Sequence, residues 1–268
     1  MGKPHHILPE MTPGADKKKV VVQYFDAIGK RYDLADTLMS FGLHFFWRRI
    51  ALKHLAFKKR CRILDLCGGA GEFARRIAGT TTRGMPVVCD LSRSMLAAGK
   101  SNSAENPCEN PIQWVQSDAE QLGFADKSFD AVIVGYGIRN LSDLPRGLQE
   151  IHRVLIPGGK LVIMEFSIPK SRWIRALYHW YSFSVMPGFG KVITGEDAPF
   201  IYLAESIRSF PPPERVQGIL ASAGFIRVTF QRLSNGLVTV YSATKLENVM
   251  HRGKDTVDLP LDFIGEKA

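Results

Sequence analysis

The densest chemistry in the chain lies in Asp65-Leu66-Cys67-Gly68-Gly69-Ala70-Gly71-Glu72, where two acids flank three glycines. Glycines at 69 and 71 let backbone approach a ligand with no side chain in the way. A helix opening at Gly71 would present free N–H groups and a positive dipole end to an anionic group. Asp90 follows about 20 residues later, where a carboxylate can accept hydrogen bonds from both hydroxyls of a ribose. Together these residues point to a nucleoside ligand. Gly69 to Ala74 also satisfies a loose G-x-G-x-x-A, so NAD and an oxidoreductase stay open as an alternative. Two acids favour S-adenosylmethionine instead. Asp65 precedes the glycines and can orient a cationic amine, which a dinucleotide lacks. Asp118, in Asp118-Ala119-Glu120, can accept from an adenine amine or cap a helix.

These residues need strands to carry them. Arg62 to Leu66, Pro86 to Asp90, Ile112 to Val115, Phe129 to Val134 and Lys160 to Phe166 read as strands, the first and fourth apolar enough to be buried. Between them, helices are expected over Glu72 to Ala78, after a Ser92 cap with Met95 and Leu96 inward, and over Asp143 to Leu155, stopped by Pro157-Gly158-Gly159. Asn102 to Pro111 reads as a loop. Alternating strands and helices imply a parallel sheet covered on both faces, an α/β Rossmann-like fold. The rhythm then breaks into helices over Trp173 to Phe183, Asp197 to Ser209 and Glu214 to Ala223. Strands Phe225 to Gln231 and Leu237 to Lys245 meet across a turn at Asn235-Gly236, which suits a mostly parallel, seven-stranded methyltransferase sheet with a reversed last strand. Helices over Val20 to Tyr32 and Leu38 to Phe57 precede the sheet. The expected organisation is a flexible tail over 1–19, a single domain over 20–245 and a loose tail over 246–268.

A hydrophobic fraction of 45% and a charged fraction of 23% exclude collagen, coiled coil and wholesale disorder. No apolar run is long enough for a spanning helix and no secretory leader is evident, so a cytoplasmic protein is expected. Cys61, Cys67, Cys89 and Cys108 show neither zinc spacing nor a disulfide framework; no metal is expected. The net charge is +9. From His44 to Arg62 the charged residues are Arg48, Arg49, Lys53, Lys58, Lys59, Arg60 and Arg62, interleaved with Phe45, Phe46 and Trp47 and free of acids. Such a stretch is either an ordinary helix with a solvated basic face or a contact for an anionic membrane surface. No nucleic-acid recognition motif accompanies the charge.

The same glycine motif, Asp90 with Ser94-Met95-Leu96, Leu122 to Asp130 and Arg153 to Gly159 resemble the motifs of class I methyltransferases. Narrower signatures resemble the ubiquinone/menaquinone-biosynthesis C-methyltransferase family: Tyr32-Asp33 with Leu38 to His44 and Trp47, Tyr136-Gly137-Ile138-Arg139-Asn140, Tyr181-Ser182-Phe183, and Tyr202 to Ile207. The resemblance spans roughly Val20 to Lys245. It implies S-adenosylmethionine as cofactor, with contacts at Ala70, Asp90, Asp118, Ala119 and Gly135. It implies methyl transfer to a ring carbon of a prenylated quinol, either demethylmenaquinol or the methoxy-benzoquinol precursor of ubiquinol. Ala70 and Gly135 stand where the family usually, or in some members, has hydroxyl side chains. A catalytically inactive partner in a quinone-biosynthesis assembly is therefore a further alternative.

For that chemistry the ring hydroxyl must lose a proton and ring carbon, methyl and sulfur must align. Arg139 is expected to stabilise a phenolate or hold a proton-carrying water. His44 is a candidate base, and Tyr32 a further catalytic candidate. Asp33, Asn140 and Tyr202 are expected to contact substrate. The late helices from Trp173 to Ser209, rich in aromatic residues, would cover the ring and prenyl tail together with the N-terminal helices. That tail would bring the enzyme transiently to an anionic membrane, peripheral at its inner face. A homodimer or a quinone-biosynthesis assembly remains open.

Overall fold

The computed structural model describes residues 15–28, 37, 40–55, 61–79 and 85–247. Arg62–Leu66 forms β1, Met85–Asp90 β2, Gln113–Gln116 β3, Phe129–Gly135 β4, Leu155–Phe166 β5, Phe225–Leu233 β6 and Val238–Lys245 β7. They lie side by side in one sheet, in the order β3-β2-β1-β4-β5-β7-β6. The first five pair in parallel, and β7 runs antiparallel to both β5 and β6. β6 returns into β7 through Ser234–Gly236, a turn too short for a parallel crossover, which is why the last strand is reversed.

The strand sequences match their surroundings. β1 and β4 are apolar on successive residues because both faces are covered. Leu64 and Leu66 face one layer with Val132, Leu148, Ile151, Val216 and Leu220. Ile63 and Ile133 face the other, against Trp47, Ala51, Leu55, Phe73 and Ile77. The first layer is closed by helices Leu144–Val154 and Pro213–Ser222, the second by Leu43–Leu55 and Glu72–Ala78.

The helices in chain order are α1 (Ala15–Ile28), α2 (Leu43–Leu55), α3 (Glu72–Ala78), α4 (Arg93–Glu105), α5 (Leu144–Val154), α6 (Arg172–Trp180), α7 (Met186–Thr194), α8 (Ala198–Ser209) and α9 (Pro213–Ser222). Ser92 caps α4, its hydroxyl accepting from the Met95 N–H, and Asp143 caps α5 in the same way from Arg146. A π-helical turn over Tyr181–Val185 joins α6 to α7.

Some boundaries differ from expectation. α4 continues to Glu105, through residues read as loop. α7 was missed because Pro187, Gly188 and Gly190 look like a helix break, yet Pro187 stands in its first turn, where its missing N–H costs nothing. The basic run Lys17-Lys18-Lys19, within the stretch expected as tail, belongs to α1, which begins at Ala15. Lys17 Nζ donates to the carbonyls of Arg139 at 3.1 Å and Leu141 at 2.6 Å, which ties that first turn to the body of the protein.

Candidate active site

The strand order turns back between β1 and β4, since β2 and β3 lie to one side of β1 and β4 and β5 to the other. In open α/β sheets such a reversal leaves a crevice beyond the carboxyl ends of the two central strands. A cavity lies there, lined by residues that follow β1 (Cys67 to Ala70), β2 (Asp90 to Ser92), β3 (Ser117 to Glu120) and β4 (Gly135 to Gly137). α1 covers it with Lys18, Val21, Val22 and Phe25.

Asp65 is almost wholly buried, on β1 at the cavity wall. Its Oδ2 accepts from the Ala74 N–H at 2.9 Å, capping the first turn of α3 from the strand. Its Oδ1 is buried with no hydrogen-bond partner among the described residues. Burial, opposed by the Ala74 bond and reinforced by neighbouring Asp90, pushes this carboxyl up to about 7. A buried acceptor without a donor is costly, and a cationic amine beside it would satisfy Oδ1 and restore the ordinary acidity. Asp90 lies opposite. Its Oδ2 accepts from Gly69 N and its Oδ1 from Ser92 N, both at 2.8 Å. Burial raises its pKa as well. Each oxygen retains a second lone pair, enough for two ribose hydroxyls. The residues present therefore fit a cationic nucleoside.

The structure brings Asp65, Gly69, Ala70, Asp90, Asp118, Ala119, Gly135 and Asn140 to this one cavity. Gly71 is a correction. It does not line the cavity, and its N–H donates to Gly68 O at 2.8 Å, so Gly71 itself offers no free donor to a ligand, while Ala70, Glu72 and Phe73 beside it line the cavity. Gly71 has φ +79°, and a Cβ there would fall 2.6 Å from the Trp114 ring, so glycine is required by packing. Gly135 is explained similarly: a Cβ would stand 2.5 Å from the Phe73 ring, leaving no room for a hydroxyl side chain. Asp118 lines the cavity, but its Oδ2 takes the Lys18 amine at 2.6 Å and its Oδ1 the Glu120 N–H at 2.9 Å. The carboxylate expected to read an adenine amine is thus engaged by α1.

A second cavity, about 420 Å³ and overwhelmingly apolar, adjoins the first through Phe25, which lines both. Its walls include Phe41, Trp47, Phe166, Leu177, Trp180, Met186 and Phe200, with Arg139 and Tyr202 among the few polar groups. Tyr202 Oη donates to Asn140 Oδ1 at 3.1 Å, and burial pushes the phenol up to about 12, so it stays protonated at neutral pH.

Arg139 faces the second cavity, yet its Nη1 donates to Glu165 Oε1 at 2.8 Å and to the Tyr136 carbonyl. Glu165 Oε2 also accepts the Arg139 N–H at 3.2 Å. The guanidinium expected to meet a phenolate is therefore held in a buried ion pair that fixes the loop after β4. Glu165 escaped the sequence reading; the signal available was an acid at the end of the otherwise apolar run Leu161 to Phe166. His44 is corrected more sharply. It lines neither cavity, its Nδ1 contacts Ser40 Oγ at 2.7 Å, and burial, with Arg48 and Arg76 nearby, lowers it to about 4. An imidazole that binds a proton so weakly is a poor base at neutral pH. Tyr32 and Asp33 lie outside the described residues. Val21, Val22 and Phe25 come from the helix expected over Val20 to Tyr32, whereas Lys18 falls in the stretch expected as tail.

The sequence model of the ubiE/COQ5 methyltransferase family matches residues 12–245. The chain belongs to that family. It is an S-adenosylmethionine-dependent C-methyltransferase, and the dinucleotide reading falls away. The chain is 38% identical over 239 residues to the "Ubiquinone/menaquinone biosynthesis C-methyltransferase UbiE" of Bradyrhizobium diazoefficiens, covering 88% of this chain and 94% of that one. A protein of the same description from Pseudomonas aeruginosa is 35% identical over 243 residues, 90% of this chain and 94% of the relative. Among solved structures, the [4+2]-cyclase SpnF superposes with a TM-score of 0.64 at 15% identity, over 86% of this chain and 96% of that one. A putative methyltransferase from Haloferax volcanii, solved with its Trm112 activator, gives 0.62 at 17%, over 86% and 100%. These structural likenesses carry the fold alone, as the cyclase among them illustrates.

Among the described residues no helix is long and apolar enough to cross a membrane, and no cluster of potential metal ligands is found. The basic stretch from Arg48 to Arg62 is not a continuous solvated face: Arg48 is buried against Glu72 at 3.3 Å, and Arg62 lies over the Phe129 ring. Arg49 and Lys53 are exposed, and Lys58, Lys59 and Arg60 lie outside the described residues.

Proposed function

We propose that this chain methylates a ring carbon of a prenylated quinol in respiratory quinone biosynthesis, demethylmenaquinol or a methoxy-polyprenyl-benzoquinol. The observation that carries the reading is the adjacency of a crevice whose Asp65 and Asp90 fit a cationic nucleoside and an apolar cavity fitted to a flat ring with an aliphatic tail, with Phe25 in both walls. The relatives' names point the same way.

When bound, S-adenosylmethionine supplies an electrophilic sulfonium methyl. The chain's own groups then have defined tasks. Asp65 Oδ1 receives the amine, Asp90 the ribose hydroxyls, and Gly69, Ala70, Ala119 and Gly135 form close walls. Asn140 and Tyr202 are substrate contacts at the junction of the cavities, where the Tyr202 hydroxyl can turn from Asn140 to a ring oxygen and stabilise the charge that develops there. Arg139 acts as a positioning residue: paired with Glu165, it holds the Tyr136 to Asn140 loop in place. Neither His44 nor the high-pKa Tyr202 serves as base, so the ring proton leaves to water. The prenyl tail resides in lipid, so the enzyme works as a peripheral protein at the cytoplasmic face of an anionic membrane.

The test is an anaerobic methyl-transfer assay with naphthoquinol and benzoquinol acceptors, each reduced and oxidised. Transfer to a reduced acceptor alone supports the reading; no transfer to either quinol overturns it.

A further inference from the structure

None of the nine residues of α6 is buried, although the helix carries two tryptophans and a leucine. Trp173, Leu177 and Trp180 stand at i, i+4 and i+7, on one face, and are 87%, 63% and 58% exposed. In α7, Phe189 and Val192 share a face three residues apart and are 58% and 84% exposed; Phe41, beside the π-turn, is 80% exposed. Isolated exposed apolar residues are ordinary, but a concentration of this kind marks a contact surface.

Three features identify what it contacts. Phe41, Leu177 and Trp180 also line the apolar cavity, so the exposed surface is continuous with the compartment that would hold a prenyl chain. Between Glu165 and Glu196 the sequence contains no acid, while Lys170, Arg172, Arg175 and Lys191 are all exposed. Exposed tryptophans beside cations are the composition of segments that lie in the headgroup region of a bilayer. We infer that α6 and α7 form the membrane-docking surface of the enzyme, seating the mouth of the apolar cavity on anionic lipid so that a tail passes between bilayer and cavity. The inference rests on the quinol reading for its purpose, and it moves the membrane contact away from the basic stretch around Trp47. That tryptophan is buried, with its Nε1 donating to Ser234 Oγ at 2.9 Å.

The experiment uses the full chain with vesicles of phosphatidylcholine alone and of phosphatidylcholine with phosphatidylglycerol. Flotation is measured together with quenching of tryptophan fluorescence by brominated lipid. The parent is expected to float with the anionic vesicles and to be quenched. Trp173→Ser/Phe189→Ser/Val192→Ser changes residues that line neither cavity. It should bind vesicles about tenfold or more weakly, while methylating a short-tailed soluble quinol at the parent rate. Arg49→Glu/Lys53→Glu should reduce binding far less. A triple variant that floats like the parent overturns the inference. So does a parent that ignores both vesicles, or one that self-associates through this face instead. Patch-dependent vesicle binding without methyl transfer to any quinol would support the surface and sink the quinol reading.

Discussion

Tyr202 Oη and Asn140 Oδ1 are 3.1 Å apart, and each side chain belongs to the wall of a different cavity. The bond therefore spans the boundary across which a methyl group would pass. Tyr202→Phe keeps the ring contact with Tyr24 at 5.5 Å and removes only the hydroxyl. The stability cost should be about 1 kcal/mol. If the hydroxyl turns toward substrate in the transition state, kcat falls by roughly 10- to 100-fold with S-adenosylmethionine affinity unchanged. Steady-state kinetics and calorimetry on the one variant check both statements.

Asp65 ties cofactor binding to pH. Its carboxyl rises from an ordinary 3.8 to about 7 in the folded protein, chiefly through burial. The folded state then holds the proton more tightly than the unfolded chain. The stability this confers is full below pH about 4 and is lost as pH rises through about 7. A cation placed beside Asp65 favours the charged form, so binding S-adenosylmethionine near pH 7 should release a proton. Calorimetry in buffers of different ionisation enthalpy should detect that release, and Asp65→Asn should abolish it. Asp90→Ala, by contrast, should weaken binding by about 1.5–3 kcal/mol and reduce the proton release without abolishing it, since burial is the larger cause of the raised Asp65 pKa.

The buried Arg139–Glu165 pair gives asymmetric variants. Arg139→Ala leaves Glu165 without its guanidinium and should destabilise the fold by about 3–5 kcal/mol. Arg139→Met/Glu165→Met should recover most of that loss, because both charges leave together. Turnover should stay well below the parent's in the double variant, with KM for quinol raised, since the loop bearing Asn140 loses its anchor. Denaturant titration and kinetics on Arg139→Met, Glu165→Met and their double variant close the cycle.

His44 should appear in acid stability and not in the rate profile. Its folded-state pKa, about 4, lies below the ordinary 6.5, so the stability it contributes is full above pH 6.5 and disappears as pH falls toward 4. His44→Gln should flatten the fall of stability across that window and leave the pH dependence of kcat unchanged. A shift in the kinetic profile would return His44 to the chemistry.

Much of this was legible in the chain. The central strands announce themselves as short, mostly apolar runs, and Gly69, Asp90 and Asp65 follow from what a nucleoside needs at the ends of such strands. Local sequence could not say that Gly71 answers to Trp114, because the two residues are far apart in the chain and meet only across α3, α4 and β3. Nor could it say that Arg139 is committed to Glu165, a pairing made when β4 and β5 align. Long-range partners decide whether a polar side chain serves the ligand or the fold. The same holds for Lys18: a lysine run reads as solvated tail until Asp118 and Glu120 stand opposite it at 2.6 and 2.8 Å.

The central claim is that the two cavities form one reaction chamber for donor and quinol. The most direct measurement is the mass of the acceptor after anaerobic incubation of the full chain with methyl-deuterated S-adenosylmethionine and reduced, short-tailed demethylmenaquinol or methoxybenzoquinol. One labelled methyl is expected on a ring carbon of at least one quinol, none on the oxidised quinones, and a large loss of label with Tyr202→Phe. Label on an oxygen, equal labelling of the oxidised ring, or an unlabelled quinol beside a cofactor that binds normally would contradict it.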